Sequence, residues 1–184
     1  MTSRTPAPAP STAPPATWLW GPQSGPGLAV ALATGVADQA HKWWMLAVEE
    51  IEGKGRYPSL PFLDIKFTRN TGVSFSMLDS SSYSWQLGLA VFAVAAALAL
   101  WVWLARGPSN RLLAWSLGLI MGGAAGNAID RVLFGGVTDY FLPHAFGIDW
   151  PNVFNIADVA IVAGVAGLLY ESLIASRKDA ANPL

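Results

Sequence analysis

The 184-residue chain contains no cysteine, only two histidines and few charges: Asp, Glu, Lys and Arg together make up 12% of it. Without cysteine there can be no disulfide scaffold, thiolate nucleophile or cysteine-ligated metal centre. His41 and His144 are far apart and form no HExxH-like pair, so no metal is expected. The formal net charge of −1 gives no electrostatic reason to bind nucleic acid. Soluble domains carry about 25% charged residues, and a chain with half that share points toward lipid. What is abundant agrees with this. Hydrophobic residues make up 53% of the chain, and it has nine Trp, whose indole rings favour the membrane–water interface.

Residues 1–26 are rich in Pro, Ala, Ser and Thr and predict a disordered tail. A proline run stands where a cleavable leader would need its apolar stretch, so the segment does not read as a signal peptide. A bilayer-spanning helix takes about 20 largely apolar residues. Spans are predicted at about 27–48, 82–105, 112–131 and 154–175. The second lies in an uncharged run, Ser80–Ala105, whereas the first is interrupted by Asp38, Gln39, His41 and Lys42. Residues 27–175 therefore predict an all-α membrane domain built as a four-helix bundle, with 176–184 as a short cytoplasmic tail. Segment 56–79 alternates in character between Pro and Gly and predicts a small extracytoplasmic β element. Segment 132–153, Gly- and aromatic-rich, predicts a surface loop or an interfacial helix. Arg106 and Arg111 in the loop between the second and third spans, with Arg177, Lys178 and Arg4, put both termini in the cytoplasm by the positive-inside rule. Lys54, Arg56, Lys66 and Arg69 weaken that bias.

On this topology the anomalous polar groups gather at one membrane face. Asp38 and Lys42 fall in the outer half of the first span, Asn70 in the loop after it, and Asn127, Asp130 and Arg131 at the outer end of the third. Asp139 lies just beyond, and Asn155 and Asp158 open the fourth. Ionisable groups in a membrane are costly and usually face a bundle interior or a wet cavity. Asp38 and Lys42 are spaced i, i+4 for a salt bridge, and Asn127 with Asp130 or Arg131, and Asn155 with Asp158, share helix faces. Gly122, Gly123 and Gly126 offer a face that a neighbouring helix can approach closely. Two carboxyls in a low-dielectric site share a proton, which suits acid–base hydrolysis of a peptide bond by Asp139 and Asp158. From the residues alone, a proton relay fits these groups equally well. Asp130 beside Arg131 also fits a local charge network, Asn155 a helix cap, and His144 a lipid-facing bystander. A serine–lysine pair would need Lys42 near Ser74 or Ser76. A purely structural assembly protein gives no reason for so many costly groups.

Four segments carry a resemblance to a known family. DQAHK (38–42) resembles the DQxxK element of the lipoprotein signal peptidases (signal peptidase II), and RNTGVSF (69–75) their RNxGxxF element. GGAAGNAIDRVLFGGVTDYF (122–141) is similar to their GGxxGNxxDRxxxGxVxDF signature, and FNIAD (154–158) to their FNxAD element. The segments occur in the family's order. The resemblance implies an aspartyl endopeptidase of the bacterial inner membrane that cuts prolipoproteins just before a diacylglyceryl-modified cysteine. It implies a four-helix bundle with a small periplasmic β-cradle and a periplasmic loop or helix, an active site near the periplasmic face, and no cofactor. By motif position it implies Asp139 and Asp158 as the catalytic pair. Asn70, Gly72, Asn127, Asp130, Arg131 and Asn155 fall where the family shapes its site and substrate contacts, and Asp38 with Lys42 matches a structural pair. The implied partners are the prolipoprotein and membrane lipid, the enzyme acting as a monomer. Val73 and Ser74 stand where the family more often has alanines, and the Pro/Ala-rich tail lies outside the matched segments.

Overall fold

The computed structural model of the chain describes residues 18–72, 82–107 and 110–181. Four long helices dominate it: α1 (Ser24–Ala47), α3 (Tyr83–Arg106), α4 (Arg111–Phe134) and α5 (Ile156–Ala181). A single turn, α2 (Ile51–Lys54), and strands β1 (Tyr57–Leu60) and β2 (Leu63–Asn70) link α1 to α3, while β3 (Val137–Ala145) and β4 (Ile148–Asp149) link α4 to α5. α3, α4 and residues Ile156–Ile174 of α5 are long and apolar enough to cross a membrane. On α3 and α5, Phe92, Leu98, Val162 and Leu169 remain exposed. Outward apolar faces of this kind suit a lipid surrounding, where the helices need no apolar cover.

α4 is the central post, packing along α1, α3 and α5, while α1 and α3 barely touch each other. Its glycines make this possible. A Cβ on Gly122 would strike the Ala31 carbonyl of α1, and one on Gly123 would lie 2.5 Å from the Ala157 carbonyl of α5. Away from the sheet the core is apolar: Leu104, Leu113, Ala114, Leu117 and Met121. Asn110 caps α4 by accepting from the Leu112 and Leu113 amides at 2.9 and 3.3 Å. Its own amide donates to Glu171 of α5 at 3.0 Å, which gives that isolated acid a partner. At the other end Gly135, at φ 66°, closes the helix in the left-handed conformation that favours glycine.

Two boundaries and one segment differ from the sequence expectation. α1 begins at Ser24, whose hydroxyl accepts the Gly21 amide at 2.9 Å, and Trp20 meets Trp101 edge-on at 5.6 Å. Gly21 and Ser24 are buried against the bundle while Trp18 and Leu19 stay exposed, and residues 1–17 lie outside the described residues. α5 continues to Ala181 instead of ending near 175. Segment 132–153 is neither loop nor helix after the end of α4: it supplies β3 and β4, half of a four-stranded antiparallel sheet of order β1-β2-β3-β4. Val137, Tyr140 and Phe141 are good strand formers, but their partner β2 lies far away in sequence. The register sets Thr68 opposite Asp139 and Asn70 opposite Val137. The expected β element at 56–79 is present as β1 and β2, and its remainder from 73 lies outside the described residues.

Candidate active site

The C-termini of α1 and α4 and the N-terminus of α5 meet at the sheet end of the bundle, and nearly every residue singled out in the sequence lies there. Lys42 is the hub of the buried charges. Its Nζ lies 2.9 Å from Asp38 and 3.1 Å from Asp130, and donates to Asn127 Oδ1 at 3.1 Å. All three charged side chains are essentially inaccessible. The i, i+4 bridge is thus present, with a second carboxylate on the same ammonium. A buried ion pair holds only when its remaining lone pairs find donors. Asp38 Oδ1 accepts the Ala157 amide at 2.9 Å; Asp130 accepts the Thr138 amide at 2.8 Å and Gln39 Nε2 at 3.0 Å. The network ties α1 to α4, α5 and β3.

Asp130 belongs to a local charge network, centred on Lys42, and is not itself bonded to Arg131 among the described residues. Helical geometry turns neighbours about 100° apart, and Asp130 points to Lys42. Arg131 instead donates to the Gly72 carbonyl at 3.2 Å and the Asn127 carbonyl at 3.3 Å, while its buried Nε has no partner among the described residues.

Asp139 stands on β3, 1% exposed. Asn155 Nδ2 donates to its Oδ1 at 2.7 Å and Asn70 Nδ2 to its Oδ2 at 3.0 Å. Asp158 stands in the first turn of α5, half-buried, where Asn127 Nδ2 donates to its Oδ1 at 2.9 Å. Asn155 is also the expected helix cap. Its Oδ1 accepts the Asp158 amide at 3.0 Å, and Asp158 Oδ2 accepts the Asn155 amide at 3.2 Å, a reciprocal capping box. With its oxygen committed to the cap, the Asn155 amide nitrogen is left to donate to Asp139 and, at 3.1 Å, to Asn127 Oδ1. Asp139 and Asp158 are therefore joined through the two asparagines. Asn70 Oδ1 accepts the Gly72 amide at 3.1 Å, so the residue that donates to Asp139 also shapes the turn after β2.

Burial, followed by the neighbouring Asp158 charge, pushes the pKa of Asp139 up to about 7, against the opposing pull of Asn70, Asn155 and Lys42. One proton held near neutrality between two acids suits a proton donor and a proton acceptor acting together. Among the described residues, no three His, Asp or Glu side chains are grouped to hold a metal ion.

Several residues of this region went unassigned in the sequence. Gln39 bridges Asp130 and the Gly126 carbonyl. Gln86, fully buried on α3, donates to the Thr71 carbonyl at 2.5 Å. Both are polar side chains within apolar helices, a signal that sequence carries. His41 pairs with Tyr140, and His144, expected as a bystander, lies 3.2 Å from Asp64. Those pairings join distant segments, and no local pattern announces them. Ser74 and Ser76 lie outside the described residues.

Comparison with known proteins extends the match along the chain. Residues 30–174 match the family described as "Signal peptidase (SPase) II". A lipoprotein signal peptidase of Methylocella silvestris is 44% identical over 151 residues, covering 82% of this chain and 87% of that protein. One from Methylobacterium sp. (strain 4-46) is 46% identical over 156 residues, covering 84% and 93%. A solved structure described as a bacterial membrane enzyme, at 1.9 Å resolution, superposes with a TM-score of 0.68 at 27% identity, covering 81% of this chain and 93% of that one. With these matches and three helices suited to cross a bilayer, the chain is a bacterial membrane protein and belongs to the signal peptidase II family.

Proposed function

We propose that the protein is an intramembrane aspartyl endopeptidase that removes the signal peptide from diacylglyceryl-modified prolipoproteins, cutting on the N-terminal side of the lipidated cysteine. Asp139 and Asp158 are its catalytic pair. The observation that carries this reading is the pair itself: two acids at one end of an apolar bundle, joined through Asn127 and Asn155, one with its pKa near neutrality. The relatives' name, lipoprotein signal peptidase, supports the substrate class.

In this mechanism one acid is ionised and the other neutral. The ionised carboxylate takes a proton from water as its oxygen adds to the scissile carbonyl, while the neutral acid donates to the carbonyl oxygen. The tetrahedral intermediate collapses with cleavage of the C–N bond: the leaving amine takes the proton that the first carboxyl received from water, and a hydroxyl of the intermediate returns its proton to the second, so the pair regains its one proton. Asn127 and Asn155 hold the two acids in place. Asn70, Gly72, Asp130 and Arg131 shape the site and its substrate contacts. Asp38 and Lys42 form the structural pair beneath.

Residues 27–175 act as the membrane domain, with α1 as a fourth span whose charges are paired internally. Both termini lie in the cytoplasm of an inner-membrane protein, and the sheet end faces the periplasm. The substrate's acyl chains remain among membrane lipid. Every site residue named comes from one chain, so a monomer suffices. A serine–lysine mechanism is disfavoured because Lys42 Nζ is already committed to Asp38, Asp130 and Asn127.

The test is cleavage of a prolipoprotein, with and without its diacylglyceryl group, by native enzyme and by the Asp139→Asn and Asp158→Asn variants. The expected result is cleavage of the lipidated substrate by native enzyme alone. Cleavage surviving either substitution would move the chemistry elsewhere, and equal cleavage of the unlipidated form would remove the lipid from recognition.

A further inference from the structure

Successive side chains on a strand point to opposite faces, so β3 presents Asp139 to one side and Tyr140 to the other. Tyr140 is completely buried against α1. Its ring stacks on His41 with centroids 5.1 Å apart and planes inclined by 28°, and its hydroxyl lies 2.8 Å from His41 Nδ1. His41 belongs to the same helical turn as Asp38 and Lys42, which pin α1 to α4 and α5. α1 thus sends out two struts. Asp38 Oδ1 accepts the amide of Ala157, next to Asp158, and His41 holds the hydroxyl of Tyr140, next to Asp139. One turn of α1 reaches the chain neighbour of each acid, while the asparagines bond the acids themselves.

We propose that His41 is a positioning residue, acting through the Tyr140 hydroxyl to set the place of Asp139 relative to Asp158 without touching substrate. This rests on the aspartyl-pair reading above. The apolar contacts of Tyr140 do not depend on the hydrogen bond: its ring also packs with Met45, Ile51 and Ile65 and meets Phe141 at 4.6 Å. The hydroxyl also has a hydrogen bond with the backbone of Ile156, at the start of α5, so loss of the hydroxyl leaves the ring packed and removes directional constraints toward both α1 and α5. A displacement of an ångström at a reacting group is enough to slow chemistry.

The experiment compares His41→Leu, Tyr140→Phe, the double variant and His41→Asn on a diacylglyceryl-modified prolipoprotein, with Asp139→Asn alongside. Asparagine can place its amide near the position of Nδ1. We expect each of the first two variants to lower kcat on the order of tenfold, with KM nearly unchanged and a loss of Tm too small to account for the slower rate. The double variant should be no slower than Tyr140→Phe alone, because the hydroxyl carries the His41 contact together with the one to Ile156, and His41→Asn should recover most of the rate. Unchanged kcat in both singles, additive losses in the double, or a kcat loss that merely follows a falling Tm would overturn the proposal. Should His41→Leu not fold, Tyr140→Phe removes a single oxygen and decides the matter by the same criteria. Persistent cleavage by Asp139→Asn would separately signal failure of the aspartyl-pair reading.

Discussion

The two halves of α4 divide the labour of the molecule. Its first half packs Leu113, Ala114, Leu117 and Met121 into an apolar core with Leu104. Its second half, from Gly126 onward, carries Asn127, Asp130 and Arg131 into a buried polar network. The helix is continuous, the glycine contacts run through both halves, and the two differ mainly in what the side chains can do. Packing alone supports the first. The second stands only because its carboxylates find Lys42, backbone amides or asparagine donors, an arrangement that conserves shape while leaving a proton to move. Stability and chemistry should therefore be separable along this helix.

The largest effect is expected where the network is deprived of its cation. Lys42→Met leaves Asp38 and Asp130 buried without their counter-charge, and removing one partner of a buried pair costs about 3–5 kcal/mol. Thermal unfolding in detergent should show collapse of the folded state, and a native-like Tm would mean that the network is not structural. Leu117→Ala, in the other half, opens a cavity at a fully buried position. It should cost about 2–5 kcal/mol while leaving kcat of the folded enzyme unchanged. Asn155→Ser should do the opposite. Serine keeps the helix cap but loses the amide that donates to Asp139, so the rate of the folded enzyme should fall roughly tenfold or more, beyond what any loss of Tm explains. If Leu117→Ala slows turnover, or Asn155→Ser only destabilises, the division fails.

The smallest effect has a definite sign. Asp139 holds its proton more tightly when folded, with a pKa of about 7 against an ordinary 3.8. Its favourable contribution to stability is full below the ordinary value and is lost as pH rises through the folded one. Asp139→Asn cannot ionise, so its Tm relative to the native enzyme should rise by roughly 2–4 °C from acid to alkaline pH, the shift that about 1 kcal/mol produces at this size. Its amide nitrogen faces a donor, Asn70 or Asn155, which lowers stability at every pH alike, so a Tm difference that does not change with pH would contradict the assigned burial of charge.

The same contrast explains what the sequence disclosed. Apolar length announced α3, α4 and α5, and isolated polar residues within apolar runs marked Asp38, Lys42, Asn127, Asp130 and Asp158. The i, i+4 spacing was sufficient for the Asp38–Lys42 bridge because a helix fixes that distance locally. Adjacency alone did not tell which partner Asp130 takes, since neighbours on a helix point apart and Asp130 reaches Lys42 while Arg131 reaches Gly72. Strand pairing was least legible. β3 pairs with β2 some seventy residues away, so segment 132–153 read as a loop, and the His41–Tyr140 and Asp64–His144 contacts that depend on it could not be anticipated. Asn155 was recognised as a cap, but its second task at Asp139 becomes visible only when the strand is in place.

The most direct measurement is the single-turnover cleavage rate of the native enzyme on a lipidated prolipoprotein as a function of pH. If Asp139 and Asp158 work with one shared proton, the rate must fall as pH rises through about 7 and that proton is lost. A rate that stays flat or climbs across that range, with chemistry rate-limiting, would contradict an aspartyl pair at the heart of this site.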